Sequence, residues 1–546
     1  MGKSGQLAVL GSALAWACAT SNGIDEPAST AGAAGAAGAA VGAGGAPSLD
    51  AGGGFAGATA CELAAKSHSY MGCEFWPTVV ANNVWSTFDF AAVVANAGNE
   101  PATVEVARGA TLVTKVTVQP GSLEKIHLPW IPELKGGDAD ECGGSVSLEQ
   151  SVRVVDGAYR LTSSVPVTVY QFNALQFRGE GGPSGKSWKA CPGNETCAQV
   201  GAAVGCYSFS NDASLLLPTT ALTGTYRLVG QKGWPMVAMP SYFAVTGTQD
   251  GTQVTVKLTK KATTAAGTDI PGADKGVTYG FPLKRGEVVE IVASPDSDLA
   301  GSLVTADKPV QVITGMPCVN QPFDVAKAAC DHIEESVFPA ETLGKRYFVT
   351  VPTGPNGDAV GHFVRLVGNS DGTALSYPGG APPNAPTQID AGQVVDLEVV
   401  TSDFEIEGSQ AFAVVTFQLG GSMVDPDKPP HERRGDPSQS AAVSVEQFRK
   451  KYVFLAPDDY DVGYVDIVRK TGVSVVLDGV EVDATPKALS SGYEVLRAKL
   501  GPGQAGAHLL EAASPVGLQV VGYGKFTSYQ YPGGLGLAPI TPPPVK

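Results

Sequence analysis

Few residues of this sequence have the spacing that enzymatic chemistry requires. One segment, Gly368-Asn369-Ser370-Asp371-Gly372, matches the G-x-S-x-G pattern of a nucleophilic serine. That pattern acts where a strand runs into a helix, whereas here it falls on a turn between two strand-like segments. Gly185-Lys186-Ser187 is similar to the end of a phosphate-binding loop, but Glu180 stands where that loop requires its first glycine. We therefore predict no catalytic residue, no nucleotide site and no cofactor.

Metal-ligating residues are present, but their spacing is not that of a ligand set. The six histidines are scattered singly along the chain: His68, His127, His332, His362, His431 and His508. Four acidic residues lie close together in the sequence: Asp458, Asp459, Asp461 and Asp466. Converging carboxylates can hold Ca²⁺, but these lack the spacing of an EF-hand. We predict no metal site and favour a solvated acidic loop, with Ca²⁺ left as the alternative.

Nine cysteines favour disulfides over metal binding. Cys18 lies near the N-terminus, and eight others follow it: Cys61, Cys73, Cys142, Cys191, Cys197, Cys206, Cys318 and Cys330. An even number in an exported chain predicts disulfides, although eight cysteines permit roughly a hundred connectivities. Short spacing favours Cys61 with Cys73 and Cys318 with Cys330. Residues 179–206 hold three of the cysteines, so we expect a stapled loop that either binds a ligand or is a structural excursion.

The first 60 residues are typical of an export signal followed by a tether. Lys3 precedes an apolar run from Leu7 to Ala17 that is too short to span a bilayer. The pattern around Cys18 is similar to a bacterial lipobox, so we expect a signal peptide over residues 1–18. The chain is then either lipid-modified at Cys18 or cleaved nearby without a lipid. Residues 19–60 are rich in Ala and Gly and predict a disordered tether. We expect an exported protein, either an outer-membrane lipoprotein on the cell surface or a secreted protein.

The composition indicates which secondary-structure elements carry these residues. The chain has 546 residues, of which 16% are charged, with 68 Gly and 39 Pro. Frequent turns and many β-branched residues favour short strands over long helices, and the predicted fold class is all-β. The net charge of −16 repels nucleic-acid phosphates. We therefore predict no nucleic-acid partner, and membrane contact only through an N-terminal lipid.

An internal repeat organises the rest of the chain. Four segments share a Val-rich strand: residues 161–175, 304–317, 406–421 and 512–526. Earlier in each unit a strand, a turn and a second strand follow one another, and Asp250-Gly251 and Asp371-Gly372 predict β-hairpins. Tandem β-sandwich-like modules in series are therefore predicted. Their expected bounds are 61–212 with the Cys-rich insertion, 213–331, 332–423 and 444–532, with a Pro-rich linker at 424–443 and a Pro-rich tail at 533–546.

Four longer phrases resemble a known family. They are GCEFWPTVVANNVWSTFDFAAVVANAGNEPATVEV (72–106), YRLTSSVPVTVYQFNAL (159–175), ASLLLPTTALTGTYRL (213–228) and GDPSQSAAVSVEQFRKKYVFLAPDDY (435–460). They resemble the IgGFc-binding protein N-terminal domain family over about residues 70 to 530. Bacterial members, frequent in myxobacteria, are typically secreted or lipid-anchored proteins with Ala/Gly-rich leaders. The resemblance implies a surface or adhesion role and leaves the ligand unnamed.

These features predict a non-catalytic cell-surface or secreted binding protein whose loops meet a protein or glycan on another surface. A structural scaffold of the bacterial envelope is the alternative, and a carbohydrate-active enzyme with two carboxylates is a distant one. An exposed apolar or aromatic patch would favour binding, whereas a smooth polar surface would favour the scaffold. The tryptophans that bear on this choice are Trp76, Trp85, Trp130, Trp188 and Trp234.

Overall fold

The computed structural model describes residues 59–138, 146–194, 197, 205–323, 330–457, 459–501, 503 and 506–544. Nearly all regular structure in these ranges is β-strand, which confirms the predicted all-β class. The helices in the same ranges are short: α1 (Ala60–Ser67), α2 (Pro132–Lys135) and α3 (Gly421–Val424). The predicted signal peptide, with Cys18, and the predicted tether up to residue 58 lie outside the described residues, as do Cys142 and Asp458. The last two residues of the expected tether are not disordered, because Thr59 caps α1 and Ala60 begins it.

The first unit consists of two antiparallel sheets that share one long strand. The strands in this part of the chain are β1 (Gly72–Phe75), β2 (Phe90–Asn96), β3 (Ala102–Arg108), β4 (Thr111–Val118), β5 (Ser122–Leu128), β6 (Val152–Val154), β7 (Tyr159–Asn173) and β8 (Asp212–Leu215). β7 pairs with β3 in its first half and with β2 in its second half. The sheet orders are β4-β3-β7-β1 and β5-β2-β7-β8, so β7 passes from one sheet to the other.

The second unit has the same arrangement, with two shorter strands in place of the long one. Its strands are β9 (Thr225–Arg227), β10 (Tyr242–Gly247), β11 (Thr252–Lys257), β12 (Thr278–Leu283), β13 (Val288–Val292), β14 (Leu303–Ala306), β15 (Val310–Asn320) and β16 (Cys330–Ser336). One sheet has the order β12-β11-β14-β9. The other has the order β6-β13-β10-β15-β16, so β6 joins the second unit although it precedes β7 in the chain.

The third and fourth units repeat this pattern. The third contains β17 (Arg346–Val349), β18 (His362–Gly368), β19 (Thr373–Ser376), β20 (Gln388–Ile389), β21 (Val394–Val400), β22 (Phe404–Gly408), β23 (Phe412–Gln418) and β24 (Gln439–Ala441). The fourth contains β25 (Arg449–Leu455), β26 (Val462–Lys470), β27 (Val475–Leu477), β28 (Val480–Glu481), β29 (Lys487–Ala488), β30 (Tyr493–Lys499), β31 (Ala507–Gly524) and β32 (Thr527–Pro532). β31 passes between the two sheets of the fourth unit as β7 does in the first.

The Asp-Gly turns do not form the predicted hairpins. Gly251 and Gly372 have positive φ (68° and 63°), as the turn prediction requires. However, β10 pairs with β13 and β15, whereas β11 pairs with β12 and β14, so the turn between them joins two different sheets. The turn between β18 and β19 does the same. The alternation of side chains that suggested hairpins follows from each strand alone and does not depend on which strand it pairs with.

The closing strands of the four units meet at a common centre. β8 contacts β16 and β32, and β24 contacts the same two strands, so the four form a closed ring in the order β8, β16, β24, β32. Each closing strand pairs with the strand before it, namely β7, β15, β23 and β31. The expected divisions near residues 212 and 331 fall at β8 and β16, and β24 lies within the expected linker. We therefore propose that each unit ends after its closing strand.

The four units share one hydrophobic core. A single cluster of buried side chains includes Tyr170, Val245, Phe417 and Tyr531, one from each unit. The two ends of the described chain also meet, because the Tyr70 backbone N–H donates to the Leu535 carbonyl oxygen at 3.4 Å. The units are thus packed together as one body. Over the described residues, no helix combines the length and apolar character needed to cross a membrane.

Candidate functional site

The residues that suggested serine chemistry form a turn. The chain leaves Ser370 directly into β19 rather than into a helix. The Asp371 side chain accepts a hydrogen bond from the Ala391 backbone N–H at 3.0 Å. This bond holds the turn in place and engages the Asp371 carboxylate. The segment is therefore a structural turn.

The acidic stretch in the fourth unit does not converge on one point. Asp459 pairs with Lys125 at 2.6 Å, and Asp466 is buried and accepts from the Thr353 backbone N–H at 3.0 Å. Burial raises the pKa of Asp466 to about 6. In the described part of the chain, no group of three His, Cys, Asp or Glu side chains is arranged to hold a metal ion.

Three disulfides join cysteines that are close in sequence. They connect Cys61 to Cys73, Cys191 to Cys206 and Cys318 to Cys330. Cys197 is disulfide-bonded as well. Two of these bonds are the local pairs that the spacing favours. Disulfides persist in oxidising compartments, so the chain has the character of an extracellular protein.

The disulfide between Cys191 and Cys206 closes the predicted stapled loop, residues 179–206, onto the first unit. Trp188 of this loop is half-buried, with its ring centre 5.2 Å from that of Phe88. The Trp188 indole N–H donates to the Gly181 carbonyl at 3.2 Å, and the Trp188 carbonyl accepts from the Asn194 side chain at 2.8 Å. The loop thus presents part of an aromatic ring in a fixed orientation.

A lysine and two further tryptophans complete this region. The Lys186 ammonium lies 4.6 Å from the centre of the Trp188 ring and 2.6 Å from a carboxylate oxygen of Asp89. Trp85 and Trp130 are half-buried in the same apolar cluster as Trp188. A ring that packs on one side and meets solvent on the other can stack against a ligand. The loop and these tryptophans therefore form the candidate binding site.

The two other tryptophans of the described residues contribute little to the surface. Trp76 and Trp234 are buried, at 2% and 5% exposure. Among the described residues, the exposed large apolar side chains are all aliphatic, and they are spread over the units: Leu112, Val146, Val155, Met236, Val277, Val480 and Ile540. Single exposed apolar residues are normal on a protein surface.

A set of buried carboxyl groups lies where the closing strands meet, and the sequence did not point to it. The Asp212 carboxyl of β8 accepts hydrogen bonds from the backbone N–H groups of Glu334 (3.1 Å) and Gln439 (3.0 Å). The Glu335 carboxyl accepts from the Ala441 N–H at 3.1 Å. These bonds connect β8 and β16 to β24. The carboxyls therefore hold three units together at the centre of the ring.

Burial sets the protonation of this set. The Glu334 carboxyl accepts from the side-chain amides of Gln171 and Asn173, both at 2.8 Å. Burial nevertheless raises the pKa of Glu334 to about 8, and that of Asp212 well above its usual range. Glu290, which accepts from a backbone N–H of the first unit, also has its pKa raised by burial to about 8. Glu334 and Glu290 are therefore largely neutral acids near neutral pH.

Comparison with known proteins agrees with the resemblance. The family described as IgGFc binding protein matches residues 212–522, which is more than half of the chain. The chain belongs to this family. It is 27% identical over 339 residues to a protein named IgGFc-binding protein from Homo sapiens, which is 61% of this chain and 6% of that relative. The chain thus spans a small part of the relative's length. No solved structure matches it.

The family match includes the central carboxyls and does not include the stapled loop. It begins at Asp212, the first residue of β8, and includes Glu334 and Glu335. The stapled loop lies before it, in a part where the resemblance had been expected to continue. The only sequence signal for the central carboxyls is that acidic residues come just before the apolar segments that open the second and third units. The central carboxyls thus belong to the family's own segment, and the stapled loop precedes it.

Proposed function

We propose that this chain is a non-catalytic, exported binding protein, and that the stapled loop of the first unit contacts a protein or glycan on another surface. The observation that carries this proposal is the half-buried Trp188, held by a disulfide and two hydrogen bonds. The family is described by binding rather than by a reaction. The disulfides support an extracellular setting.

The fixed geometry of the loop favours recognition. Tryptophan supplies a large contact area with few rotatable bonds, so little conformational entropy is lost when it meets a partner. The disulfide and the hydrogen bonds of Trp188 reduce that loss further because they hold Trp188 and its neighbours before a partner arrives. A partner with a sugar ring or an aromatic side chain would contact the part of the indole that Phe88 and Lys186 leave exposed.

A structural scaffold is the second candidate. The shared core and the contact between Tyr70 and Leu535 make the four units one body, as a spacer of fixed shape requires. The absence of exposed aromatic side chains beyond the stapled loop, in the described ranges, also favours this alternative. The two candidates differ in whether the stapled loop contributes to binding.

Binding to immobilised immunoglobulin G Fc and to a mucin-type glycoprotein tests the proposal. Fc is included because the human relative is named for it. We expect saturable binding of the full chain to at least one probe, and a loss of about tenfold or more for Trp188→Ala, because central aromatic anchors dominate such interfaces. The matched control is Val480→Ala, which truncates an exposed side chain of the fourth unit and leaves binding unchanged.

Two results would contradict the proposal. Equal affinities of the Trp188→Ala variant and the unmodified chain would remove the loop from the binding site. Failure of both probes to bind would favour the scaffold. An unchanged melting temperature of each variant shows that the fold is retained.

A further inference from the structure

Four lysines line a cleft of about 280 Å³ at one end of the second unit. Three loops of that unit and strand β21 of the third unit form its walls. We call it the lysine cleft and define it by its lining residues: Lys232, Lys260, Lys261, Lys275, Asp296, Asp298 and Asp396. It shares no residue with the stapled loop. Loops at the end of a sandwich are common places for binding because a rigid framework positions them.

Hydrogen bonds around Ser297 hold the loops of the lysine cleft in place. The Lys261 carbonyl accepts from the Ser297 hydroxyl at 3.2 Å and from the Asp298 backbone N–H at 3.1 Å. The Ser297 carbonyl accepts from the Gly233 N–H at 2.9 Å, next to Lys232. The same hydroxyl accepts from the Thr263 N–H at 2.6 Å. The three loops are therefore tied together before any ligand arrives.

Arg365 forms ion pairs with two of the three carboxylates in the cleft. Its guanidinium is completely buried behind the wall and lies 3.2 Å from Asp298 and 2.7 Å from Asp396. It also donates to the Gly230 carbonyl at 2.8 Å. Its single positive charge offsets one of these two negative charges. With four lysines against three aspartates, the cleft and Arg365 together carry a net positive charge.

The ammonium groups of the four lysines are open to a ligand. In the ranges that the structure describes, none of the four lies within 4.0 Å of a carboxylate oxygen. Lys232 lies 5.4 Å from the centre of the half-buried ring of Phe323, which adds an apolar surface beside the charges. The chain as a whole carries a net charge of −16. A positively charged cleft on an acidic protein attracts an anion to this one place.

We propose that the lysine cleft binds an acidic polysaccharide through its sulfate or carboxylate groups. Lysine ammonium groups bind such anions as point charges with rotatable donors. A nucleic acid carries about one charge per 1.7 Å of duplex, and the net charge of −16 on the chain opposes a long run of phosphates. An acidic polysaccharide spaces its charges by whole sugar rings, so a short stretch can fill the cleft.

Titration of the full chain with heparin oligosaccharides and with polygalacturonate tests this proposal. Heparin carries sulfate and carboxylate groups, whereas polygalacturonate carries carboxylates alone, so the two probes distinguish the anion. At about 50 mM salt, where screening is modest, we expect saturable binding to at least one of them. The Lys260→Gln, Lys261→Gln, Lys275→Gln triple variant should bind about tenfold or more weakly, because it removes three charges from one site.

The matched control changes the same number of charges elsewhere. It is the triple variant Lys428→Gln, Lys470→Gln, Lys499→Gln, whose side chains are exposed in other parts of the chain, and it should change affinity by less than about twofold. The single variant Lys232→Gln gives a milder test if the cleft triple variant lowers the melting temperature. Equal losses in both triple variants, equal binding of a single-stranded DNA, or no binding to either polysaccharide would overturn the proposal. Success or failure here is independent of the Trp188 test, because the two sites share no residue.

Discussion

The buried carboxyl of Glu334 couples the stability of the fold to pH. In the folded chain its pKa is raised to about 8 by burial, whereas an unfolded glutamate titrates near pH 4.3, roughly. Between these values the folded chain holds a proton that the unfolded chain has lost. The free energy of unfolding therefore falls as the pH rises from about 4 to 8. Above about pH 8 this loss of stability is complete. Glu290 acts in the same direction.

Glu334→Gln should remove the loss of stability that Glu334 causes at high pH. The amide is neutral at every pH and its oxygen can accept from Gln171 and Asn173 as the carboxyl does. We expect the variant to match the unmodified chain at about pH 5 and to be more stable by about 2 to 5 kcal/mol at about pH 9. Urea unfolding at both pH values measures the difference. Glu149→Gln, at an exposed position, is the control, and an equal pH dependence of all three proteins would contradict the assignment.

The partner of a residue could be predicted from the sequence where the two residues are close together in the chain. The pairs Cys61 with Cys73 and Cys318 with Cys330 needed only short spacing. The burial of Glu334 was not predictable in this way, because it depends on strands from different units that meet at the centre of the ring. An acidic residue next to an apolar segment has the same sequence pattern whether it faces solvent or another unit.

The Asp-Gly turns that join the two sheets of the second and third units depend on glycine. Gly372 has a φ of 63° and a substituted side chain would find open space, so the backbone conformation alone sets the cost of substitution. Gly372→Ala should lower the free energy of unfolding by about 1 kcal/mol, because alanine is strained at positive φ. Gly501→Ala is the control, since Gly501 also faces open space but lacks the positive φ. Urea unfolding measures both, and equal losses would contradict the role given to the turn.

At the level of elements, strand positions were predictable and strand partners were not. The Val-rich strands and the Asp-Gly turns lie where the repeat predicts them. The pairing differs because side-chain alternation reports only which residues face the core. A turn that carries the chain between sheets and a turn that folds it back within one sheet can use the same Asp-Gly sequence.

The four units should unfold as one body, because they share a core and a closed ring of strands. The repeat predicted four related modules in series, but the contact between the first and last units joins residues more than 380 positions apart, as between Tyr70 and Val453. No local pattern encodes a contact of that separation. Scanning calorimetry of the full chain should give a single transition whose calorimetric and van't Hoff enthalpies agree. Several separate transitions would show instead that the units are independent.

The Tyr70 hydroxyl tests whether the contact between the first and fourth units supports the whole molecule. It accepts a hydrogen bond from the Val453 backbone N–H at 2.9 Å and donates to the Val453 carbonyl at 3.3 Å, inside the core. Tyr70→Phe leaves that N–H buried without its partner, which costs about 1 to 3 kcal/mol. Because the units unfold together, the variant should lower the temperature of the entire transition. Tyr493→Phe, which removes a hydroxyl with no hydrogen-bond partner among the described residues, should leave that temperature nearly unchanged. If Tyr70→Phe shifts only part of the heat absorption to a lower temperature, the contact between Tyr70 and Val453 does not couple the four units.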